Sequence, residues 1–226
     1  MSGHTAPDRP ELTWREGVTP VSTQFDDPYF SLENGLAETC HVFLTGNDLP
    51  ARFGPGFQIA ELGFGTGLNL LAALRAWRAA GVAGPLRFTT FEAYPMAADD
   101  MIRAQQVFPE MADLVSELAP HWGGDQITLP DLEFRMIVGD ARQTLPVWDG
   151  AADAWFLDGF SPAKNPELWG EDLMQAVYDH TAPGGTAATY TAAGHVRRGL
   201  EAAGFTVTRI PGYGRKRHMT QARKDG

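Results

Sequence analysis

Between Phe57 and Trp77 the chain changes from one hydrophobic period to another. The run Phe57 to Leu62 is mostly apolar and predicts a strand. Leu68, Leu71, Leu74 and Trp77, spaced by three, predict the buried stripe of a helix. Gly63, Gly65 and Gly67 lie between them and make a tight turn. Glycines let the backbone approach a ligand with no Cβ in the way, and a helix start points free N–H groups at whatever sits there. Strand, glycine turn and helix together form a nucleotide-type pocket.

The alternation continues downstream. Gly81 and Gly84-Pro85 break the chain before a second strand, Leu86 to Glu92; residues 95 to 119 read as helices punctuated by Pro109, and HWGGDQITLPD reads as a loop. Leu132 to Asp140 is a third strand and Ala154 to Leu157 a fourth. A helix from Glu171 to Ala182 is ended by Pro183-Gly184-Gly185, and TAATYT follows as a fifth strand. Gly194 to Ala203 is a helix, Phe205 to Ile210 a strand, and RKRHMTQA pairs antiparallel as the last one. The pattern is α/β, a Rossmann-like, doubly wound, seven-stranded sheet.

Upstream, residues 1–19 read as a flexible lead-in and residues 20–50 as an N-terminal extension of a single domain, 20–226. Within the extension, Val21 to Phe30 predicts a hairpin around Asp26, Asp27 and Pro28. Ser31 is placed to cap a helix running through Phe43. Leu36, Cys40 and Leu44 share one face of that helix.

Composition narrows the function classes. No apolar run approaches the ~20 residues a membrane span needs, and the single cysteine, Cys40, has no internal disulfide partner, which suits a reducing cytoplasm. No Cys/His cluster has metal-ligand spacing, so no metal is expected. A net charge of −10 argues against a general nucleic-acid binder. The positive charge is nevertheless crowded near the C-terminus, at Arg197, Arg198, Arg209, Arg215, Lys216, Arg217, Arg223 and Lys224. That crowding reads either as a local basic patch or as a solvated face.

The candidate chemistry sits at the strand ends. A dinucleotide fingerprint is G-x-G-x-x-G, whereas here the order is E-x-G-x-G-x-G, with Glu61 just before the turn. A carboxylate there repels a pyrophosphate and attracts a cation, which fits the ammonium and sulfonium of S-adenosylmethionine better than NAD. Glu92, ending the second strand, is placed to accept from both ribose hydroxyls, or else to cap the next helix. Asp140, ending the third, is placed to accept from an adenine amino group, or else to serve as an N-cap. Asp158, ending the fourth, meets the pocket from the side opposite Glu92 and is the candidate catalytic acid, or else a capping or turn-forming aspartate. Tyr29 and Phe160 are candidates to pack on a substrate, with ordinary core packing as the alternative.

Several stretches resemble a known family. ELGFGTGLNLL, DAWFLDGFSPAKNPELW, AGHVRRGLEAAGF and GYGRKRHM, preceded by FDDPYF and NGLAET, are similar to the methyltransferase domain of tRNA 5-methylaminomethyl-2-thiouridine biosynthesis proteins, called MnmC when bifunctional and MnmD when the domain stands alone. The likeness runs from about Gln24 to Met219, and the DGFSPAKNPELW block is its most specific part. It implies the class I methyltransferase sheet, S-adenosylmethionine as cofactor, and the 5-aminomethyl group of a tRNA wobble uridine as substrate.

On that resemblance Glu61, Gly63, Gly65, Gly67, Glu92 and Asp140 hold the cofactor and Asp158 faces the methyl group. Lys164, Arg197, Arg198, Arg215, Lys216 and Arg217 become candidate phosphate contacts for tRNA near its anticodon. Bifunctional members add an FAD-dependent oxidase domain; none is expected in this chain, which should then receive the aminomethyl form from another enzyme. Three other readings are a class I methyltransferase for a small-molecule or protein amine, an NAD-dependent oxidoreductase, and a non-enzymatic tRNA-binding partner. A cofactor comparison separates the oxidoreductase. Loss of Asp158 separates the binding partner.

Overall fold

The computed structural model describes residues 9–31 and 34–226. Three short strands come first: β1 (Leu12–Arg15), β2 (Thr19–Ser22) and β3 (Asp27–Pro28), paired antiparallel in a small sheet with Val21 opposite Pro28. The hairpin around Asp26 is therefore present. The lead-in reading is corrected in part: Leu12 to Arg15 is a paired strand, while residues 1–8 lie outside the described residues.

The helix of the extension also departs from expectation. Its α-helical part, α1, is only Gly35–Thr39, and its cap is Asn34, whose side-chain oxygen accepts from the Ala37 N–H at 2.9 Å. Asn34 directly precedes the first helical residue; Ser31 lies too far upstream to serve. Beyond Thr39 the coil widens to a π-turn over Cys40–Leu44 and tightens to a 3-10 turn over Thr45–Asn47. The change of pitch buries Asn47, whose amide donates to the carbonyls of Phe43 and Trp155.

The main sheet follows in chain order: β4 (Gln58–Leu62), α2 (Leu68–Ala80), β5 (Leu86–Glu92), α3 (Ala98–Gln105), α4 (Ala112–Leu118), β6 (Gln126–Leu129), β7 (Leu132–Val138), α5 (Ala141–Thr144), β8 (Ala152–Leu157), α6 (Glu171–Asp179), β9 (Thr181–Thr189), α7 (Gly194–Ala203), β10 (Thr206–Pro211) and β11 (His218–Arg223). The spatial order is β10-β11-β9-β8-β4-β5-β7-β6. β4 is parallel to both β5 and β8, so the winding direction reverses beside it and leaves a crevice at the carboxyl ends of these strands.

The doubly wound sheet thus has eight strands, one more than predicted. The addition is β6, from the stretch read as a loop, which pairs antiparallel with β7 on the sheet edge. Only Ile127 of its four residues is fully buried, too short an alternation to register as a period. β9 also starts earlier than expected. Pro183-Gly184-Gly185 lies within it and bulges out where the pairing to β8 shifts register.

Helices cover both faces. Leu70, Leu71, Leu74 and Trp77 of α2 pack with Ile59 and Phe88 on one side; Leu173 and Val177 of α6 and Leu200 of α7 pack with Leu62 and Trp155 on the other. The predicted stripe Leu68, Leu71, Leu74 and Trp77 is buried throughout, each residue adding about 1.5–3 kcal/mol of burial.

Candidate active site

The glycine turn is held by a carboxylate. Glu92, at the end of β5, accepts from the Phe64 and Gly65 N–H groups through Oε2 at 2.9 and 3.1 Å, and from the Tyr94 N–H through Oε1 at 2.8 Å. A carboxylate offers about four acceptor positions, so Glu92 keeps about one for a ligand. Gly63 has φ +85°, and a Cβ there would collide with the Asp158 carbonyl oxygen. Gly65, at φ +54°, lies under the Tyr29 ring. Gly67, the N-cap of α2, does not line the cavity described below, and a Cβ there would meet Phe64 and Gln105.

Glu61 does not line that cavity, contrary to its expected direct contact with a cationic cofactor. Residues of β4 alternate between faces, so Glu61 follows Ile59 onto the side covered by α2 and is 0% exposed. It accepts from Asn69 Nδ2 at 2.8 Å and from the Thr90 hydroxyl at 2.8 Å. Burial holds its carboxyl well above the usual range.

Asn69 is one of the site residues not expected from the sequence. From the first turn of α2 its Nδ2 donates both to Glu61 and to Asp158 Oδ2, the latter at 2.7 Å. It is 3% exposed, and its Oδ1 has no hydrogen-bond partner among the described residues. The available signal was slight: one amide inside the otherwise apolar LNLLAAL. Burial, with a smaller contribution from the Glu38 charge, pushes the Asp158 carboxyl up to about 7, against the opposing effects of the Asn69 bond and Lys216.

These groups open on one cavity of about 710 Å³ at the carboxyl ends of β4, β5, β7 and β8. Of the residues predicted from sequence, it brings together Gly63, Gly65, Glu92, Asp140, Asp158, Tyr29, Phe160, Arg215 and Lys216. Asp140 also fulfils its alternative role. It caps α5 through the Arg142 N–H and pairs with the Arg142 guanidinium at 2.6 Å, which lowers its carboxyl below the usual value.

Phe160 stacks on Phe25 at 4.8 Å and meets the Tyr29 ring edge-on at 5.1 Å, making an aromatic wall. Burial, then the Glu92 charge, raises the Tyr29 hydroxyl far above its ordinary value. Glu38 and Tyr190, from distant segments, line the cavity as well and were not anticipated.

The predicted phosphate contacts separate. Lys164 does not line the cavity; its ammonium is held by the Asp26 carbonyl and carboxylate and lies 3.6 Å from Asp27. Lys216 turns inward onto Glu38 at 2.7 Å. Arg197, Arg198 and Arg217 lie outside the cavity lining. Arg209, Arg217 and Arg197 all help to lower the His218 imidazole, behind a larger effect of burial, which places them around one position near β11.

Among the described residues no three His, Cys, Asp or Glu side chains are grouped to hold a metal ion, and no helix is long and apolar enough to cross a membrane.

A crevice at the winding reversal, a glycine turn anchored by the acid that ends the next strand, and further carboxylates at the ends of β7 and β8 suit a nucleoside that carries a cation. The unpartnered Asn69 oxygen suits an N–H donor of such a ligand. Residues 105–225 match the family described as S-adenosyl-L-methionine-dependent methyltransferase, and the chain belongs to that family, with S-adenosylmethionine as its cofactor.

The particular relatives are narrower in kind. The tRNA 5-methylaminomethyl-2-thiouridine biosynthesis bifunctional protein MnmC of Caulobacter sp. (strain K31) is 48% identical over 226 residues, covering 93% of this chain and 38% of that protein. Its counterpart in Caulobacter vibrioides is 44% identical, covering 95% and 38%. This chain therefore spans well under half the length of these curated relatives. The crystal structure of MNMC2 from Aquifex aeolicus superposes with a TM-score of 0.73 at 25% identity, covering 96% of this chain and 71% of that one.

Proposed function

We propose that this chain methylates the primary amine of 5-aminomethyl-(2-thio)uridine at the wobble position of tRNA, giving 5-methylaminomethyl-(2-thio)uridine, in the cytoplasm. The names of the MnmC relatives support the substrate. The observation that carries the chemistry is Asp158, held by Asn69 at the cavity with its carboxyl near 7.

When bound, S-adenosylmethionine supplies a methyl group made electrophilic by its sulfonium. Gly63, Gly65, Glu92 and Asp140 are the residues to hold its nucleoside part, with Glu61 acting indirectly by fixing Asn69. An alkylammonium is mostly protonated at neutral pH and has no lone pair to give. A carboxylate near 7 is far better matched to take that proton than an ordinary aspartate, so Asp158 serves as base as well as orienting group. The nitrogen so freed would have the lone pair to take the methyl group that the bound cofactor would supply, and the product is a secondary ammonium. Phe25, Tyr29 and Phe160 offer flat faces to an unstacked anticodon base. With Lys164 and Lys216 held by carboxylates, Arg197, Arg198, Arg215 and Arg217 are the candidate phosphate contacts.

Glu92→Ala removes the acceptor of three backbone N–H groups and is expected to weaken S-adenosylmethionine binding about 10–100-fold by calorimetry. The decisive assay incubates the chain with S-adenosylmethionine and tRNA carrying 5-aminomethyl-2-thiouridine, then weighs the digested nucleosides by mass spectrometry. Appearance of the methylaminomethyl nucleoside is expected. Bound cofactor with no methylated nucleoside would overturn the substrate while leaving the family intact.

A further inference from the structure

Inside the cavity sits a primary ammonium that belongs to the chain itself. Lys216 donates from Nζ to Glu38 Oε1 at 2.7 Å, and the same nitrogen lies 4.3 Å from the centre of the Tyr190 ring. A carboxylate on one side and a π-face on the other is a complete recognition set for an alkylammonium.

The two receiving groups are more buried than the lysine they hold. Glu38 stands on α1 with a side chain 15% exposed. The Tyr190 hydroxyl donates to the Gly159 carbonyl at 2.7 Å, next to Asp158, and Trp169 meets its ring edge-on. Lys216 comes from the turn between β10 and β11, shortly after Gly212 and Gly214, and its side chain is 48% exposed.

Asp158, Asp27 and Glu38 all raise the Tyr190 hydroxyl, behind a larger effect of burial, so three carboxylates act on one ring. Asn69, which lines the same cavity and binds Asp158, presents a buried Oδ1 with no donor among the described residues. The Lys216 ammonium therefore sits in a carboxylate-rich part of the cavity.

A lysine side chain ends in CH₂–NH₃⁺, and so does a protonated aminomethyl group. Resting on the substrate assigned above, we infer that Glu38 and the Tyr190 face form the seat of the substrate's ammonium, and that Lys216 fills this seat as a stand-in displaced when the aminomethyl group enters. The seat lies beside Asp158, which then receives the proton. Lys216 is on this account a competitor of the substrate rather than a phosphate contact, and the two roles predict opposite results.

The test measures binding of the full chain, saturated with S-adenosylhomocysteine, to two fluorescent tRNAs that differ only in carrying 5-aminomethyl-2-thiouridine or unmodified uridine at the wobble position. Glu38→Gln should lower the preference for the aminomethyl tRNA about tenfold with affinity for the unmodified tRNA unchanged. Lys216→Met, which keeps the stem and removes the ammonium, should bind the aminomethyl tRNA several-fold more tightly. An unchanged preference in Glu38→Gln, or weaker binding of both tRNAs by Lys216→Met, overturns the seat while wild-type methyl transfer stands. Failure of the wild type to methylate the aminomethyl tRNA overturns instead the substrate on which the seat rests.

Discussion

Asp158→Asn is expected to lower methyl transfer about 10²–10⁴-fold, the usual contribution of a positioned proton acceptor, with little change in S-adenosylmethionine affinity. The substitution keeps the shape and an oxygen to accept from Asn69, so the loss isolates proton acceptance. The pH profile gives an independent reading. With the carboxyl at about 7, the wild-type rate should climb as pH rises through 7 and Asp158 becomes able to accept a proton; the variant should lack that inflection. A profile that keeps it would reassign the titrating group.

Stability should respond in the opposite sense. A carboxyl whose folded value lies above its unfolded value of about 4 binds more protons in the native state. It therefore favours folding at low pH and opposes it as pH rises from about 4 to 7. Asp158→Asn is thus expected to melt above the wild type at pH 8 and to converge with it towards pH 4. Scanning calorimetry at the two pH values measures the difference. Higher stability with lower activity is the signature of a carboxylate held in the site for chemistry.

Gly63→Ala carries the other large effect. The residue is at φ +85°, where a side chain costs about 1–3 kcal/mol. The added Cβ would also strike the Asp158 carbonyl, a backbone atom that cannot rotate away, and such overpacking typically costs about 1–3 kcal/mol more. In a domain of this size the sum corresponds to a fall in Tm on the order of 10 °C. Relief requires β4 and β8 to part at their carboxyl ends, which displaces Asp158 and the turn that Glu92 anchors. Cofactor binding should be lost even at temperatures where the variant remains folded. A variant that still binds S-adenosylmethionine with wild-type affinity would show that the turn adjusts without the strands separating.

Much of the cavity was legible because its acids stand at the ends of hydrophobic runs. Glu92, Asp140 and Asp158 each follow a strand readable from composition, and in a parallel sheet those ends share one rim. Glu61 shows where such reading fails. Its position on a strand was clear, but whether its face met ligand or helix depended on α2 lying across β4. Lys164 and Lys216 were both expected to contact phosphate, and their partners, Asp26 and Glu38, lie more than a hundred residues away. Local spacing contains no term for such pairings.

By itself, the amino-acid order determined the succession of strands and helices, the glycine turn and the carboxylates that follow the strands, because periodicity, glycine conformation and burial act over a few neighbouring residues. The tertiary structure alone decided the eighth strand, the bridge from Glu61 through Asn69 to Asp158, and the seating of Lys216 between Glu38 and Tyr190. Each joins groups whose approach is set by how the crossovers stack helices and loops on the sheet, and no local period encodes that distance.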